Sequence, residues 1–160
     1  MSRSGKYLKR PTSVESIFNS RLVAKLINVV MKDGKKSIAQ KHVYQALELI
    51  KSKQPDKDPL IILRQALDNV KPMMEVRSRR IGGAAYQVPT PVRGERRESL
   101  SIRWIVNAAR VRSNREFHHF SEKLAAEILD ALNNQGGAIE KKNQMTKMAE
   151  ANKAFSHFRW

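Results

Sequence analysis

The chain of 160 residues contains no cysteine. That excludes a disulfide framework and thiolate-held metal sites, and it suits a reducing compartment. No apolar run approaches the roughly 18 residues that a membrane span requires. The first ten residues are basic but lead into no hydrophobic stretch, so no secretory signal is expected. Neither an internal repeat nor a low-complexity tract is present, which removes the solenoid architectures. Acid is scarce too: 15 Asp and Glu stand against 31 Lys and Arg, for a net charge of +16. A hydrophobic fraction of 41% still supports one folded domain, and a charged fraction of 29% is not the composition of a disordered chain. The expected partner is a polyanion.

The position of the charge says more than its total. Residues 1–10 hold Arg3, Lys6, Lys9 and Arg10 with no acid, a net of +4. Residues 11–70 hold ten basic and six acidic side chains, again +4. Residues 71–115 hold eleven basic against three acidic, a net of +8, whereas residues 116–160 balance at six against six. A uniformly solvated surface would not segregate charge in this way, so the chain has a binding side.

Leu22, Val23, Leu26, Ile27, Val30 and Met31 form one helical stripe, with Asn19 or Ser20 as cap and Asp33-Gly34 as stop. A second helix from about Lys35 places Ala39, Val43, Ala46, Leu47 and Ile50 inward, and Pro55 lies in the connection after it. Asp58-Pro59 reads as an N-cap followed by proline at the first helical position. That third helix carries Leu60, Leu63, Ala66, Leu67 and Val70 inward until Pro72.

After Pro72 the helical period disappears. Two strand-like runs, Met74–Ile81 and Ala84–Val92, flank Gly82-Gly83 and predict a β-hairpin. Pro89 and Pro91 have no N–H to donate, so they must lie on an edge or outside the ladder. An isolated two-stranded ribbon is marginal in water, and this one carries Arg77, Arg79 and Arg80 near its tip. It reads as a basic finger ordered on a polyanion, the alternative being an ordinary surface hairpin.

A fourth helix, from about Arg96 to Arg112, steps Leu100, Trp104, Ala108 and Val111 along one face. Arg96, Arg103 and Arg110 are spaced by seven, nearly two full turns, and make one guanidinium stripe. Arg93 and Arg97 crowd the helix start against the macrodipole, and Glu95 and Glu98 offset them only in part. Bidentate contact with phosphate oxygens would reverse that penalty; a solvated cationic face is the plain alternative. A fifth helix, capped by Ser113 or Asn114, turns Phe117, Phe120, Leu124, Ile128 and Leu132 inward. Asn133-Asn134-Gln135-Gly136-Gly137 breaks it, and a polar sixth helix with Met145, Met148 and Ala149 follows. Phe155, Phe158 and Trp160 end the chain, where docking on the body is preferred to contact with RNA or a partner.

No catalytic constellation is recognisable. His42 sits within a helical pattern near its buried face, and the adjacent His118 and His119 point about 100° apart, so they cannot chelate one ion. Gly82-Gly83 lies between strands and is not a nucleotide-binding loop. A membrane surface is disfavoured because the apolar faces need one another to build a core. Helix four has few Asn or Gln for reading base edges, which favours RNA shape and phosphate recognition over DNA in a major groove. A generic nucleoid-type polyanion binder is the alternative.

Five stretches carry a resemblance: Asn28 to Lys36 (NVVMKDGKK), Asn69 to Pro89 (NVKPMMEVRSRRIGGAAYQVP), Arg103 to Arg112 (RWIVNAARVR), Asn133 to Ile139 (NNQGGAI) and Met148 to Trp160 (MAEANKAFSHFRW). In this order, across essentially the whole chain, they resemble the bacterial-type small-subunit ribosomal protein seven family. The resemblance implies a mainly α fold, a single-domain bundle of about six helices with a projecting two-stranded β-hairpin. On this chain that means a basic extension over residues 1–18 and a helical RNA-binding domain over 19–160, with the hairpin at about 73–92. It implies no catalysis and no cofactor. The implied role is a structural constituent that binds the 3′ major domain of small-subunit rRNA and nucleates head assembly, with neighbouring head proteins as partners. The implied rRNA contacts are Lys6, Lys9, Arg10, Lys35, Lys36, Arg77, Arg93, Arg96, Arg97, Arg103 and Arg110. The ribbon tip, with Arg79, Arg80, Gly82 and Gly83, would face the mRNA exit path and exit-site tRNA. The C-terminal segment would lie toward the platform, near ribosomal protein eleven. The implied location is a small ribosomal subunit, cytoplasmic or organellar. Met1 to Phe18 is less family-like, and Gly94-Glu95, Ser99 and Ser101 depart from residues usual in the family at the start of helix four.

Overall fold

A computed structural model of the chain describes residues 12–158, so the expected contacts at Lys6, Lys9 and Arg10 lie outside the described residues. The elements run α1 (Arg21–Val30), α2 (Lys36–Lys53), α3 (Pro59–Val70), β1 (Met74–Ile81), β2 (Ala84–Pro91), α4 (Gly94–Val111), α5 (Phe120–Leu132) and α6 (Gly137–Ala151). A 3₁₀ turn over Lys153–Phe158 follows them. The mainly α architecture with one β-hairpin agrees with the expectation.

Local chemistry accounts for most of the elements. The five apolar residues expected inward on α2 are the five that it buries. Before α3, the Asp58 carboxylate accepts the Leu60 amide at 2.9 Å, a cap worth about 1 kcal/mol. The buried stripe of α3 is Ile62, Leu63, Ala66, Leu67 and Val70. Ile62 thus takes the place expected of Leu60, which lies in the first turn at the core margin.

Three expectations need correction. The helix-four stripe of Leu100, Trp104, Ala108 and Val111 is rotated from the true one. Ser101, Ile102, Ile105 and Ala109 face the core beside Trp104, while Val111 is 86% exposed. That helix also begins at Gly94, two residues earlier than expected, with Arg93 as its extended N-cap. Helix five starts at Phe120, not after Ser113 or Asn114. Glu122 accepts the His118 and His119 amides at 3.0 and 3.2 Å, and this pins the helix start there. Ser113 and Asn114 serve the preceding turn, accepting the Arg115 amide at 3.1 Å and the Lys123 ammonium at 2.5 Å. Phe117 is left half-buried under the Arg112 guanidinium, 5.8 Å from its ring centre.

α5 is the central helix, packing on α2, α3, α4 and α6. Leu124 and Ile128 from α5, Leu47 and Ile50 from α2, Ile62, Leu63 and Leu67 from α3, and Ile102 and Ile105 from α4 are all less than 2% exposed. Each contributes roughly 1.5–3 kcal/mol of transfer free energy. Polar ties close the bundle at one end. The Glu127 side chain, 1% exposed, accepts from Arg112 Nη2 at 2.6 Å and from the Ala138 amide at 2.9 Å. Asp130 binds the same guanidinium. Gly136 (φ +91°) lies against Glu127: a Cβ there would approach Oε1 to 2.9 Å, so both conformation and space demand glycine.

The hairpin register pairs Ile81 with Ala84 across Gly82-Gly83, both at positive φ as a two-residue hairpin turn requires. Val92 N–H donates to Met73 O at 3.0 Å, which marks a hydrogen-bonded pair. Alternation along an antiparallel ladder then leaves Pro91, opposite Met74, and Pro89, opposite Val76, at non-bonded pairs where no N–H is needed. The turn is exposed, while the base is anchored by Val88, Thr90 and Glu75, all buried. Phe155 and Phe158 dock on this ribbon instead of the core, 5.3 and 5.5 Å from the Tyr86 ring, while Trp160 lies outside the described residues. Before α1, burial tends to raise the Glu15 carboxyl, but the Tyr44 hydroxyl and the Phe18 and Ile17 amides outweigh it and hold it low. Hydrogen bonding to Glu15, reinforced by burial, pushes the Tyr44 phenol up to about 12.

Glu127→Ala leaves the Ala138 amide without its acceptor and the Arg112 guanidinium with Asp130 alone, so folding stability should fall by about 1–3 kcal/mol. Denaturant unfolding with an unchanged m-value reads this directly. A loss below about 1 kcal/mol would mean that Asp130 alone closes the junction.

Candidate nucleic-acid interface

The basic block converges where the hairpin base meets the start of α4. Glu75 of β1 points inward, its side chain only 6% exposed, yet it carries a charge. Two arginines from different elements satisfy it. Arg77 on the same strand reaches Oε1 at 2.5 Å, and Arg96 on α4 reaches Oε2 at 2.7 Å. Their side chains remain 54% and 52% exposed, so each guanidinium is held at one edge and open to solvent over the rest. Burial acts to raise the Glu75 carboxyl, but the hydrogen bonds from Arg96 and Arg77 overcome it and keep it below the ordinary carboxylate value. The Arg97 guanidinium donates to the Pro72 carbonyl at 3.0 Å, a second tie between α4 and the entry to the hairpin.

The seven-residue stripe lies on one exposed face of α4, but its members are held differently. Arg96 is tied to the hairpin through Glu75. Arg103 is exposed and makes no ion pair among the described residues. Arg110 donates through Nη2 to the Val29 and Val30 carbonyls at 3.3 and 3.2 Å, capping the C-terminal end of α1. Arg93 is exposed at the N-cap, with Glu95 in the first turn. Glu98 is drawn to Lys25 of α1 at 2.9 Å and so does little for the cations beside it.

Lys35 and Lys36 form the exposed N-terminal edge of α2. Lys35 lines one hollow with Arg110 and Lys32, so the fold links the Lys35-Lys36 turn to the far end of the arginine stripe. At the other end of the basic face, Arg80, Gly82 and Gly83 are exposed at the hairpin tip and Arg79 is half-buried on the strand. Two participants escaped sequence reasoning. Lys32 was hidden in a loop read only as a helix stop. Glu75 could have been found as the single acid in an eight-residue strand with three arginines. Such a constellation of half-free guanidinium groups can make bidentate, charge-assisted contacts with phosphate oxygens. Among the described residues no group of three or more His, Asp or Glu could hold a metal ion, and no helix is long and apolar enough to cross a membrane.

Comparison with known proteins points the same way. The family model described as "Ribosomal protein S7p/S5e" matches residues 2–153. A protein of Acetivibrio thermocellus named small ribosomal subunit protein uS7 is 56% identical over 160 residues, covering 100% of both chains. Proteins of the same name from Moorella thermoacetica and Carboxydothermus hydrogenoformans are 53% and 55% identical, again over the full length of both chains.

The Glu75 clamp makes a pH-dependent contribution to stability. Its folded carboxyl titrates below the ordinary 4.5, so the contribution is complete above about pH 4.5 and is lost as pH falls through the folded value. Thermal unfolding followed between about pH 3 and 6 should show an acid limb that is shallower in Glu75→Gln. An identical limb in that variant would place the acid sensitivity elsewhere.

Proposed function

The chain belongs to the ribosomal protein S7p/S5e family and is a structural constituent of the small ribosomal subunit, not an enzyme. From that premise we propose that it binds the 3′ major domain of small-subunit rRNA early and nucleates assembly of the subunit head. The carrying observation is the continuous cationic face on which Glu75 fixes Arg77 and Arg96 together at the hairpin base. From there Arg93, Arg97, Arg103 and Arg110 extend along α4 to the Lys35-Lys36 edge. Lys6, Lys9 and Arg10 supply further cations for RNA phosphates in this reading.

The mechanism is electrostatic positioning followed by shape selection. Each guanidinium or ammonium that meets a phosphate releases counterions, which supplies affinity without reading sequence. Specificity comes from the fixed geometry of the contacts. Arg77 and Arg96 cannot reorient freely while Glu75 holds both, so only an RNA whose phosphates match their spacing meets all of them at once. In this reading the exposed hairpin tip, with Arg79, Arg80, Gly82 and Gly83, faces the mRNA exit path and exit-site tRNA. The C-terminal segment lies toward the platform beside ribosomal protein eleven. Neighbouring head proteins join around the scaffold that this first RNA contact creates.

Affinity for the 3′ major-domain RNA and for duplex DNA of similar charge, compared at three salt concentrations, tests the reading. A preference for the RNA of roughly 100-fold that persists at high salt is expected. Equal affinities that collapse together would indicate a generic polyanion binder. Arg96, Arg103 and Arg110 changed together to Ala should flatten the salt dependence by just under one unit of slope per lost phosphate contact. An unaltered slope would leave that face merely solvated.

A further inference from the structure

An open hollow of about 260 Å³ lies where the end of α1, the first turns of α2, the last turn of α4 and the start of α5 meet. Phe120 and Ile38 contribute apolar walls. Ile38 is 53% exposed, unlike the five core-facing residues of its helix, so this aliphatic surface faces water. His42 also lines the hollow, edge-on to Phe120 with ring centres 6.0 Å apart. Its Nδ1 is sealed from solvent and has no hydrogen-bond partner. Lys32, Lys35 and Arg110 supply the charge of the lining, and no acidic side chain joins them. Nη2 of Arg110 is engaged by the α1 carbonyls, which fixes the guanidinium beside the opening.

A packing gap would account for the empty volume but not for the chemistry around it. Three cations from two segments, the α1–α2 connection and the end of α4, stand there with no acidic side chain in the lining, and a solvent-facing isoleucine lies beside them. We infer that this hollow receives the base of one unstacked RNA nucleotide, whose phosphate is held by Lys32, Lys35 and Arg110. The inference rests on the ribosomal RNA reading above and gives it a specific contact. Proteins read non-helical RNA by taking splayed bases onto aromatic and apolar surfaces while cations track the backbone. A base edge carries both donors and acceptors, so it can partner the other ring nitrogen of His42, Nε2, in either role, while the sealed Nδ1 lies beyond its reach. The volume lies below the roughly 300–1,000 Å³ of drug-sized sites, which suits one planar ring system and not a helix. An acidic protein segment would satisfy the cations, but its carboxylates offer no flat apolar body for the walls.

The test uses the full chain with transcribed 3′ major-domain RNA and p-azidophenylalanine in place of Ile38. Photocrosslinking should fall on one or two unpaired nucleotides. Ile38→Ala and His42→Phe should lower affinity by roughly five- to a hundredfold, the range for losing one base contact, with the salt slope unchanged. Lys35→Gln should lower the slope by just under one unit. Because Ile38 is exposed, Ile38→Ala keeps the measurement decisive even if His42→Phe folds poorly. Unchanged affinity in Ile38→Ala, or crosslinks scattered along duplex backbone, would overturn the inference. So would a crosslink to protein in reconstituted subunits. If the unsubstituted chain fails to prefer this RNA over duplex DNA, the ribosomal RNA reading fails first and this contact falls with it.

Discussion

One buried carboxylate sets the geometry of the bundle. Glu127 is 1% exposed on the central helix α5, where an unpaired negative charge would be prohibitively unstable. Its two oxygens therefore dictate what stands around them. Arg112 must follow directly on the end of α4, Ala138 must present its amide at the start of α6, and Gly136 must have no side chain. Burial alone would lower the Arg112 guanidinium, but its bonds to Asp130 and Glu127 prevail and raise it. A single desolvated charge thus fixes the ends of two helices and the start of a third, while the apolar stripes supply most of the free energy.

The same device recurs at the binding face with a different outcome. Glu75 is also buried, but its partners sit at the surface. The Arg112 side chain is 19% exposed, against 54% for Arg77 and 52% for Arg96. Arg112 is therefore a structural ion, walled in by two acids. Arg77 and Arg96 are oriented by one acid and keep free edges for a phosphate. In a chain with twice as many cations as anions, where the few acids are buried decides which arginines hold the fold and which remain available to RNA.

Legibility in the sequence followed the range of the interaction. The buried face of α2 and the Asp58 cap of α3 depend on residues within a few positions of each other, and both were readable. So was the hairpin, because Gly82-Gly83 sets the turn and two prolines at the same parity avoid the bonded pairs. The start of α5 was misread because two good capping residues, Ser113 and Asn114, precede the site that Glu122 selects. Helix four was misread by one strip of its surface, since Leu100, Ala108 and Val111 are as apolar as Ile102, Ile105 and Ala109, which it buries. At the candidate interface the arginines were legible as a charge block and a seven-residue spacing. Glu75 was not recognised as their organiser: a single acid among three arginines on one strand marks it out, but its burial and its bond to Arg96 are set by packing 21 residues away.

By itself the sequence determined the helical class, the place of the hairpin, the segregation of positive charge and the absence of thiol chemistry. Each of these depends on composition or on neighbours one or two turns away. Only the tertiary structure decided how each arginine is used. Arg96 meets Glu75 across 21 residues of chain, and Arg110 reaches the Val29 carbonyl across 81. Tyr86 becomes the seat of Phe155 and Phe158 in the same long-range way. A side chain's partner at that separation is set by how whole helices pack, and packing follows from the summed burial of many residues that no single motif encodes.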